Sequence, residues 1–431
     1  MKPEVLFMLV AMLSSAMVRG ADSGPVWLTV DQPVFRQLQS SNPGLQAVAV
    51  RQVDSGLRVR GRVVMDTIEV VRVSALQRDE LAQSVHQNLH HCAGFFAYDS
   101  LAAALASLAP PAPRLASTRP AYSIDHQSLV DPMLAQMSAD PIAATIVSLS
   151  AFPNRYYNGS HGAAAADALV DLWSQLAGSR NDVHVEKVFR GTDAMPSVVL
   201  TINGRELSEQ VVVLGAHLDS VNWHDRGGAS HNDSVAPGAD DDASGVAGLT
   251  EILRQLMASG YQPQRSIQLM AYSGEEFGLY GSSYLAGDYA SRAVDVVGVL
   301  QLDMTNYKGS SADIYLIDDQ TDAQQNQFLE QLVAAYLPAV QVARDTCGYA
   351  CSDHASWTQQ GYPASFPFEA SISLYQDNPY IHSSKDTYAN SGSQADDALK
   401  FTRLGLAYAV ELGELSDHIF DDGMEFTGGS L

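Results

Sequence analysis

Val211-Val-Val-Leu-Gly-Ala-His217-Leu-Asp219 is an apolar run that ends in an imidazole and an acid. A short stretch with no polar alternation is what a strand covered on both faces requires. Ser266 to Tyr272, Val296 to Met304 and Ile314 to Ile317 have the same strand-like character, while Gly245 to Ser259 and Ala323 to Tyr336 have the spacing of helices. The alternation predicts an α/β fold, a three-layer α/β/α domain on a mostly parallel central sheet. In such sheets ligands bind outside the carboxyl ends of the strands, so the residues found there carry the functional reading.

The first strand delivers His217 and Asp219 to the same side of an extended segment. Next comes Pro237-Gly-Ala-Asp240-Asp241-Asp242-Ala-Ser-Gly245, three consecutive acids before a helix, which repel one another unless a cation neutralises them. The strand ending at Tyr272 leads into Glu275-Glu276, whose side chains point in different directions, one toward a metal and one toward a substrate. Val296 to Leu302 closes on Asp303, an acid whose burial without a partner costs several kcal/mol. His382, in Asn378-Pro-Tyr-Ile-His382-Ser-Ser-Lys-Asp386, adds a late imidazole and an acid that could support the loop. Each element alone has an ordinary structural reading: a packed histidine, a solvated acidic cap, a surface glutamate pair. Their recurrence at successive strand ends points to a metal site. His224 and His231, in the polar loop between His217 and Asp240, receive no role.

Outward from this core, 431 residues with 46% apolar composition suffice for more than one folded unit. A formal charge of -24 disfavours nucleic acid and anionic membranes as partners and suits a soluble exported protein. Residues 1–20 carry Lys2, an apolar run from Val5 to Val18 and Gly20, the pattern of an export signal and too short and interrupted for a span. Residues 21–108 show strand-like alternation at Leu57 to Met65 and Thr67 to Val73, then a helical stretch from Leu76 to His90, a small α/β unit. The Pro-rich, basic linker at 109–121 marks 21–108 as a propeptide to be cut away, with a permanent N-terminal domain as the alternative. The main domain spans 122–415, and an acidic tail at 416–431 has the character of a trimmed extension or a disordered end. After export, Cys347 and Cys351 could pair across a tight turn, leaving Cys92 as a buried or free thiol.

The stretches Gly215-Ala-His-Leu-Asp-Ser220, Ala236-Pro-Gly-Ala-Asp-Asp-Asp-Ala-Ser-Gly245, Leu300-Gln-Leu-Asp-Met-Thr-Asn-Tyr-Lys-Gly309 and Asp345-Thr-Cys-Gly-Tyr-Ala-Cys-Ser-Asp-His354 resemble the secreted bacterial leucyl aminopeptidases. These belong to a larger group of co-catalytic zinc peptidases with glutamate carboxypeptidases and glutaminyl cyclases, and the resemblance runs from about Tyr122 to Leu415. It implies two Zn2+ ions bridged by Asp241, one also held by His217 and Glu276, the other by Asp303 and His382, with a shared water. It implies Glu275 as general base and then acid, Asp219 as the acid behind His217, and a zinc that also takes the substrate's free α-amine. It implies Tyr349 near the reacting carbonyl in a turn fixed by a Cys347–Cys351 disulfide, and a cis peptide between Asp241 and Asp242. Met304, Ile317, Phe366, Phe368 and Ile381 fall where an apolar specificity pocket is expected, which favours Leu or another large apolar N-terminal residue. The segment Ala370 to Gln376 departs from the family pattern, at the pocket's outer wall. The partners implied are peptides with a free N-terminus and the chain's own propeptide as inhibitor or folding aid, and a monomer is expected.

Three rivals share parts of this reading. A carboxypeptidase or deacylase would use the same ligands, although too few residues separate Asp303 from His382 for a dimerisation insert. A glutaminyl cyclase would use one zinc, against five candidate ligands here. A binding ectodomain that lost its chemistry would not retain every ligand and the base. Neither G-x-S-x-G nor H-E-x-x-H occurs, so serine-hydrolase and thermolysin-type sites lack their motif.

Overall fold

The structure, a computed structural model, describes residues 25–59, 62–89, 94–109 and 122–415. The export signal, Cys92, residues 110–121 of the linker and the tail at 416–431 lie outside the described residues. The strands are β1 Pro25–Asp31, β2 Ala49–Val59, β3 Arg62–Ser74, β4 Phe95–Tyr98, β5 Val183–Val188, β6 Ser197–Ile202, β7 Leu207–His217, β8 Arg265–Tyr272, β9 Asp295–Gln301, β10 Ile314–Ile317, β11 Val342–Asp345, β12 Ala364–Ser365 and β13 Pro367–Phe368.

A six-stranded sheet in the order β12-β9-β7-β8-β6-β5 forms the middle of the main domain. Its β12–β9, β9–β7 and β7–β8 pairings are parallel, while β6 runs antiparallel to both β8 and β5. β7 shows why the strands lack polar alternation. Val212, Leu214 and Ala216 join the large core on one face, which also holds the helices Ala243–Ala258 and Asp396–Gly413. Val211 and Val213 join a second core on the other face with Tyr289 and Trp357, from the helices Tyr280–Ser291 and His354–Gln359. Covering both faces excludes a polar register, so the three-layer α/β/α expectation holds. β10 differs from its expected place: it pairs with β11 and β13 in a separate three-stranded sheet. No helix of the described residues is long and apolar enough to cross a membrane.

The N-terminal residues form a four-stranded antiparallel sheet, β2-β3-β1-β4, with the helices Gln32–Ser41, Ala75–Leu89 and Leu101–Ser107. The run Leu57 to Met65 is not one strand as expected: β2 ends at Val59 and β3 begins at Arg62, the two pairing back on each other. The alternation continues across the hairpin, so it gave no sign of the break. This unit is not separate in packing. One apolar core passes from Leu28, Val30, Val85 and Phe95 into Tyr157, Trp223 and Phe277 of the main domain. Ala97 donates its N–H to the Gly278 carbonyl at 3.1 Å. Gly278 sits at φ 111°, and a Cβ there would lie 2.8 Å from Ala97 Cβ, so only glycine admits this approach.

Candidate metal centre

Three neighbouring strands set the site. β7 ends on His217, β8 leads into the turn Glu275–Phe277, and β9 leads to Asp303. The Leu302 N–H donates to the Gly215 carbonyl at 2.7 Å, which brings Asp303 beside His217. The acidic triplet enters from the loop before the helix Ala243–Ala258, and His382 from the loop after β13.

Within the triplet the three acids have different work. Asp240 accepts hydrogen bonds from Asn306 N (3.0 Å) and Asn378 Nδ2 (2.8 Å). Asp242 accepts from Gly245 N (2.9 Å), capping the helix, and from His217 N (3.0 Å) and Met304 N (3.2 Å), tying together two strand ends. Asp241 alone points into the centre: its Oδ1 lies 2.9 Å from His217 Nε2 and its Oδ2 2.9 Å from His382 Nε2. The Asp241–Asp242 peptide is cis, as the resemblance implies. Asp386 holds the loop from below, accepting from the N–H groups of Asp240 and Asp241, each at 3.1 Å.

Two groups of donors that could hold ions share Asp241: His217, Asp241 and Asp303, and Asp241, Glu276 and His382. This corrects the pairing expected from the resemblance, which put His217 with Glu276 and Asp303 with His382. His217 Nε2 is 3.5 Å from Asp303 Oδ1, because their strands are adjacent, whereas His382 Nε2 is 2.8 Å from Glu276 Oε2. Asp219 also differs in detail. His217 Nδ1 is nearest the Asp219 carbonyl, at 3.1 Å, with the carboxylate at 3.6 Å. That carboxylate accepts instead from the N–H groups of Glu275 (3.0 Å) and Glu276 (3.4 Å), fixing the turn that carries both glutamates.

The donors fit divalent cations. Asp241 Oδ2, Asp303 Oδ1, both carboxylate oxygens of Glu276 and His382 Nε2 are buried and make no hydrogen bond, close as some of them are. Such groups are costly to bury unless an ion takes their lone pairs. Two imidazoles and three carboxylates, divided so that each group has one imidazole and a share of Asp241, are a zinc donor set. The acids draw positive charge into the site. Burial opposes charge on His382, but Glu276 and Asp241 outweigh it and push the imidazole up to about 10. Burial pushes Glu275 well up, a pull that His217 only partly offsets.

Beside the donors, Met304, Ile317, Tyr349, Phe366, Phe368 and Ile381 pack into one apolar cluster with Cys351, and the disulfide Cys347–Cys351 joins the ends of the Tyr349 turn. A cavity of about 20 Å³ lies between cluster and donors, lined by Glu275, Asp303, Met304, Tyr349, Phe366 and Phe368 among others. Ile317 and Ile381 back this wall rather than line it. The atypical segment Ala370 to Gln376 contributes Ile372, and Asp377 follows it into the lining.

The match to known proteins covers the same residues. The family model Peptidase family M28 matches residues 197–407, from before His217 to beyond His382. A probable leucine aminopeptidase of Arthroderma otae is 34% identical over 296 residues, 67% of this chain and 78% of that relative. Leucine aminopeptidase 1 of Coccidioides posadasii is 32% identical over 303 residues, 67% of this chain and 75% of the relative. The chain belongs to peptidase family M28. As a member it is a hydrolase of the zinc aminopeptidase type. Among solved structures, the LapA aminopeptidase of Legionella pneumophila superposes with a TM-score of 0.73 at 26% identity, over 91% of this chain and 99% of that one.

Several residues that build the M28 site escaped the sequence reading. Arg155 is fully buried beneath it, donating to the carbonyls of Leu218 (2.7 Å), Pro237 (2.5 Å) and Gly238 (2.8 Å). Asp353 is buried, accepts from Gln301 Nε2 at 3.3 Å, and is pushed up by burial to about 7. His86, from the N-terminal unit, places Nδ1 2.7 Å from His382 Nδ1. Arg155 and His86 lie in no motif, Asp353 lies in the family-like stretch Asp345 to His354 but received no role, and the partners of all three are distant in sequence.

His354 gives a testable pH effect. It stacks on Phe366 with ring centroids 4.8 Å apart, and burial pushes its imidazole down to about 3. Its folded pKa lies below the ordinary value of about 6.5, so the unfolded chain binds more protons between the two. The stability it contributes is complete above about pH 6.5 and is lost as pH falls toward about 3. In urea titrations across that window, His354→Asn is expected to flatten the fall in stability with acid. An unchanged slope would show that His354 is not the group responsible.

Proposed function

We propose that this protein is an exported two-zinc aminopeptidase that removes Leu or other large apolar residues from the free N-terminus of peptides. The observation that carries the reading is the sharing of Asp241 between two buried donor groups beside an apolar pocket. His217 and Asp303 would hold one ion and Glu276 and His382 the other, with Asp241 common to both. When bound, the ions would polarise the scissile carbonyl and acidify water between them.

The chain's own residues supply the rest. Glu275 lines the cavity with its Oε1 buried and without a hydrogen bond, and burial raises its proton affinity. It takes the proton of the attacking water and returns it to the leaving amine, the exchange expected of a positioned carboxylate. Asp219 keeps Glu275 in register through its N–H. Tyr349 lines the same cavity, where its hydroxyl can meet the carbonyl oxygen, and Met304, Phe366 and Phe368 exclude water around an apolar side chain. Asp241, Asp303 and Asp377 face this cavity, so a charged amino end is favoured there over a blocked one. The acidic composition and apolar leader support export.

The test compares leucine p-nitroanilide with its N-acetyl form, before and after chelation and zinc restoration. Cleavage of the free-amine substrate alone, abolished by chelation and restored by zinc, is expected. Cleavage of the blocked substrate alone would replace the aminopeptidase reading with a deacylase. One tightly bound zinc without either hydrolysis would replace it with a cyclase.

A further inference from the structure

The donor group of His217 and Asp303 is braced within the main domain. The Asp219 carbonyl lies on His217 Nδ1, and Ser352 Oγ donates to Asp303 Oδ2 at 2.6 Å. The group of His382 and Glu276 is braced differently, by the helix Ala75–Leu89 of the N-terminal unit. Arg78, Ala82, Val85 and His86 are buried at spacings of three and four, so they form one face of that helix. At one end of the face Arg78 is buried and donates to Tyr280 Oη at 2.6 Å, with its guanidinium 5.3 Å from the ring of Phe277 in the turn that follows Glu276. At the other end His86 Nδ1 meets His382 Nδ1 at 2.7 Å, and His86 Nε2 meets His224 Nε2 at 2.5 Å. Between them Gln83 Nε2 donates to the Trp223 carbonyl at 2.8 Å, and the Trp223 N–H donates to the His382 carbonyl at 2.9 Å.

We propose that His86 is a positioning residue for the metal centre: it fixes the tautomer and orientation of His382, so that residues 25–109 contribute to holding one of the two zinc ions. The inference rests on His382 being a zinc ligand as proposed above. The proton arrangement follows from the contacts. His382 Nε2 is the nitrogen that faces Asp241 and Glu276, so a neutral His382 offering that lone pair carries its proton on Nδ1. That N–H then donates to His86 Nδ1, and His86 donates from Nε2 to His224. The reverse row would have His382 donate from Nε2 to the acids; the orientation in which His86 accepts from His382 Nδ1 is the one that leaves Nε2 open to a metal. A ligand histidine is ordinarily supported by such an acceptor, and losing it costs about 10- to 100-fold in metal affinity. Here the acceptor comes from the part of the chain whose sequence reads as a removable propeptide.

The experiment uses the full chain. Zinc content and release to a competing chromogenic chelator are measured for wild type, His86→Ala and His86→Gln, with thermal unfolding recorded alongside. Wild type is expected to release two ions with distinct affinities. In His86→Ala one of them should weaken by about 10- to 100-fold while the other holds, and His86→Gln, whose amide oxygen can accept from His382 Nδ1, should recover much of the loss. Two ions bound as in wild type by His86→Ala would overturn the proposal. Equal weakening of both ions, unrelieved by Gln, would also overturn it, as general destabilisation. A wild-type chain that binds no zinc pair would instead strike the underlying reading of His382 and is recognised before any variant is measured.

Discussion

Glu275→Gln is expected to lower kcat on leucine p-nitroanilide by about 100- to 10,000-fold, the usual contribution of a positioned acid–base group, with zinc content at the wild-type level. The separation of the two effects follows from the geometry. Glu275 lines the cavity but belongs to neither donor group around Asp241, so removing its charge takes no ligand from an ion. Gln preserves the volume, and the turn is held by its backbone N–H on Asp219 at 3.0 Å, which the substitution leaves untouched. KM should therefore change much less than kcat. A variant that lost zinc together with activity would place Glu275 among the ligands, and one that kept near-normal kcat would remove it from the reaction.

The contrast between Glu275 and Glu276 shows what a sequence conveys and what it does not. Adjacent acids after an apolar run announce a strand end with two carboxylates aimed apart. Which of them meets His382 depends on where a loop more than a hundred residues later comes to rest. The same limit explains the ligand pairing. Strand ends and loops at the sheet's carboxyl edge announced His217, the acidic triplet, the glutamate pair, Asp303 and His382, and the family resemblance singled out Asp241 and Glu276 among them. The ligands' division into two groups depends on β7 lying between β8 and β9, a strand order that hydrophobic pattern does not encode.

The side chains expected at an apolar pocket, Met304, Ile317, Phe366, Phe368 and Ile381, were legible through the family resemblance, and these five pack together with Tyr349. The supports beneath it were not. Asp240 and Asp242 resemble Asp241 in every local respect, and only their partners, Asn378 and Gly245 among them, distinguish braces from the shared acid. Arg155 and His86 have no pattern around them at all. His86 is 296 positions from His382, and a contact of that span has no counterpart in local spacing.

Asp241→Asn should have the largest effect of any single substitution at the centre. It removes the charge that both donor groups share and turns one oxygen, whether toward His217 or toward His382, into an N–H2 donor pointing at an imidazole 2.9 Å away. Burial alone would raise this carboxyl, yet His382 and His217 hold it well below the usual carboxylate range, so charge at this position is strongly favoured. The backbone should remain in place, because Asp386 holds the N–H groups of residues 240 and 241 independently of the altered side chain. Both zinc ions should therefore bind more weakly in chelator competition, and kcat/KM should fall by more than the factor of about 100 to 10,000 expected for Glu275→Gln. Asp240→Asn, which alters a brace bonded to Asn306, Asn378 and Glu369 and belonging to neither donor group, serves as the control for charge loss in the triplet and should retain both ions. If Asp241→Asn held two zinc ions as firmly as that control, the acid would not be shared, and the two donor groups would have to act as independent sites.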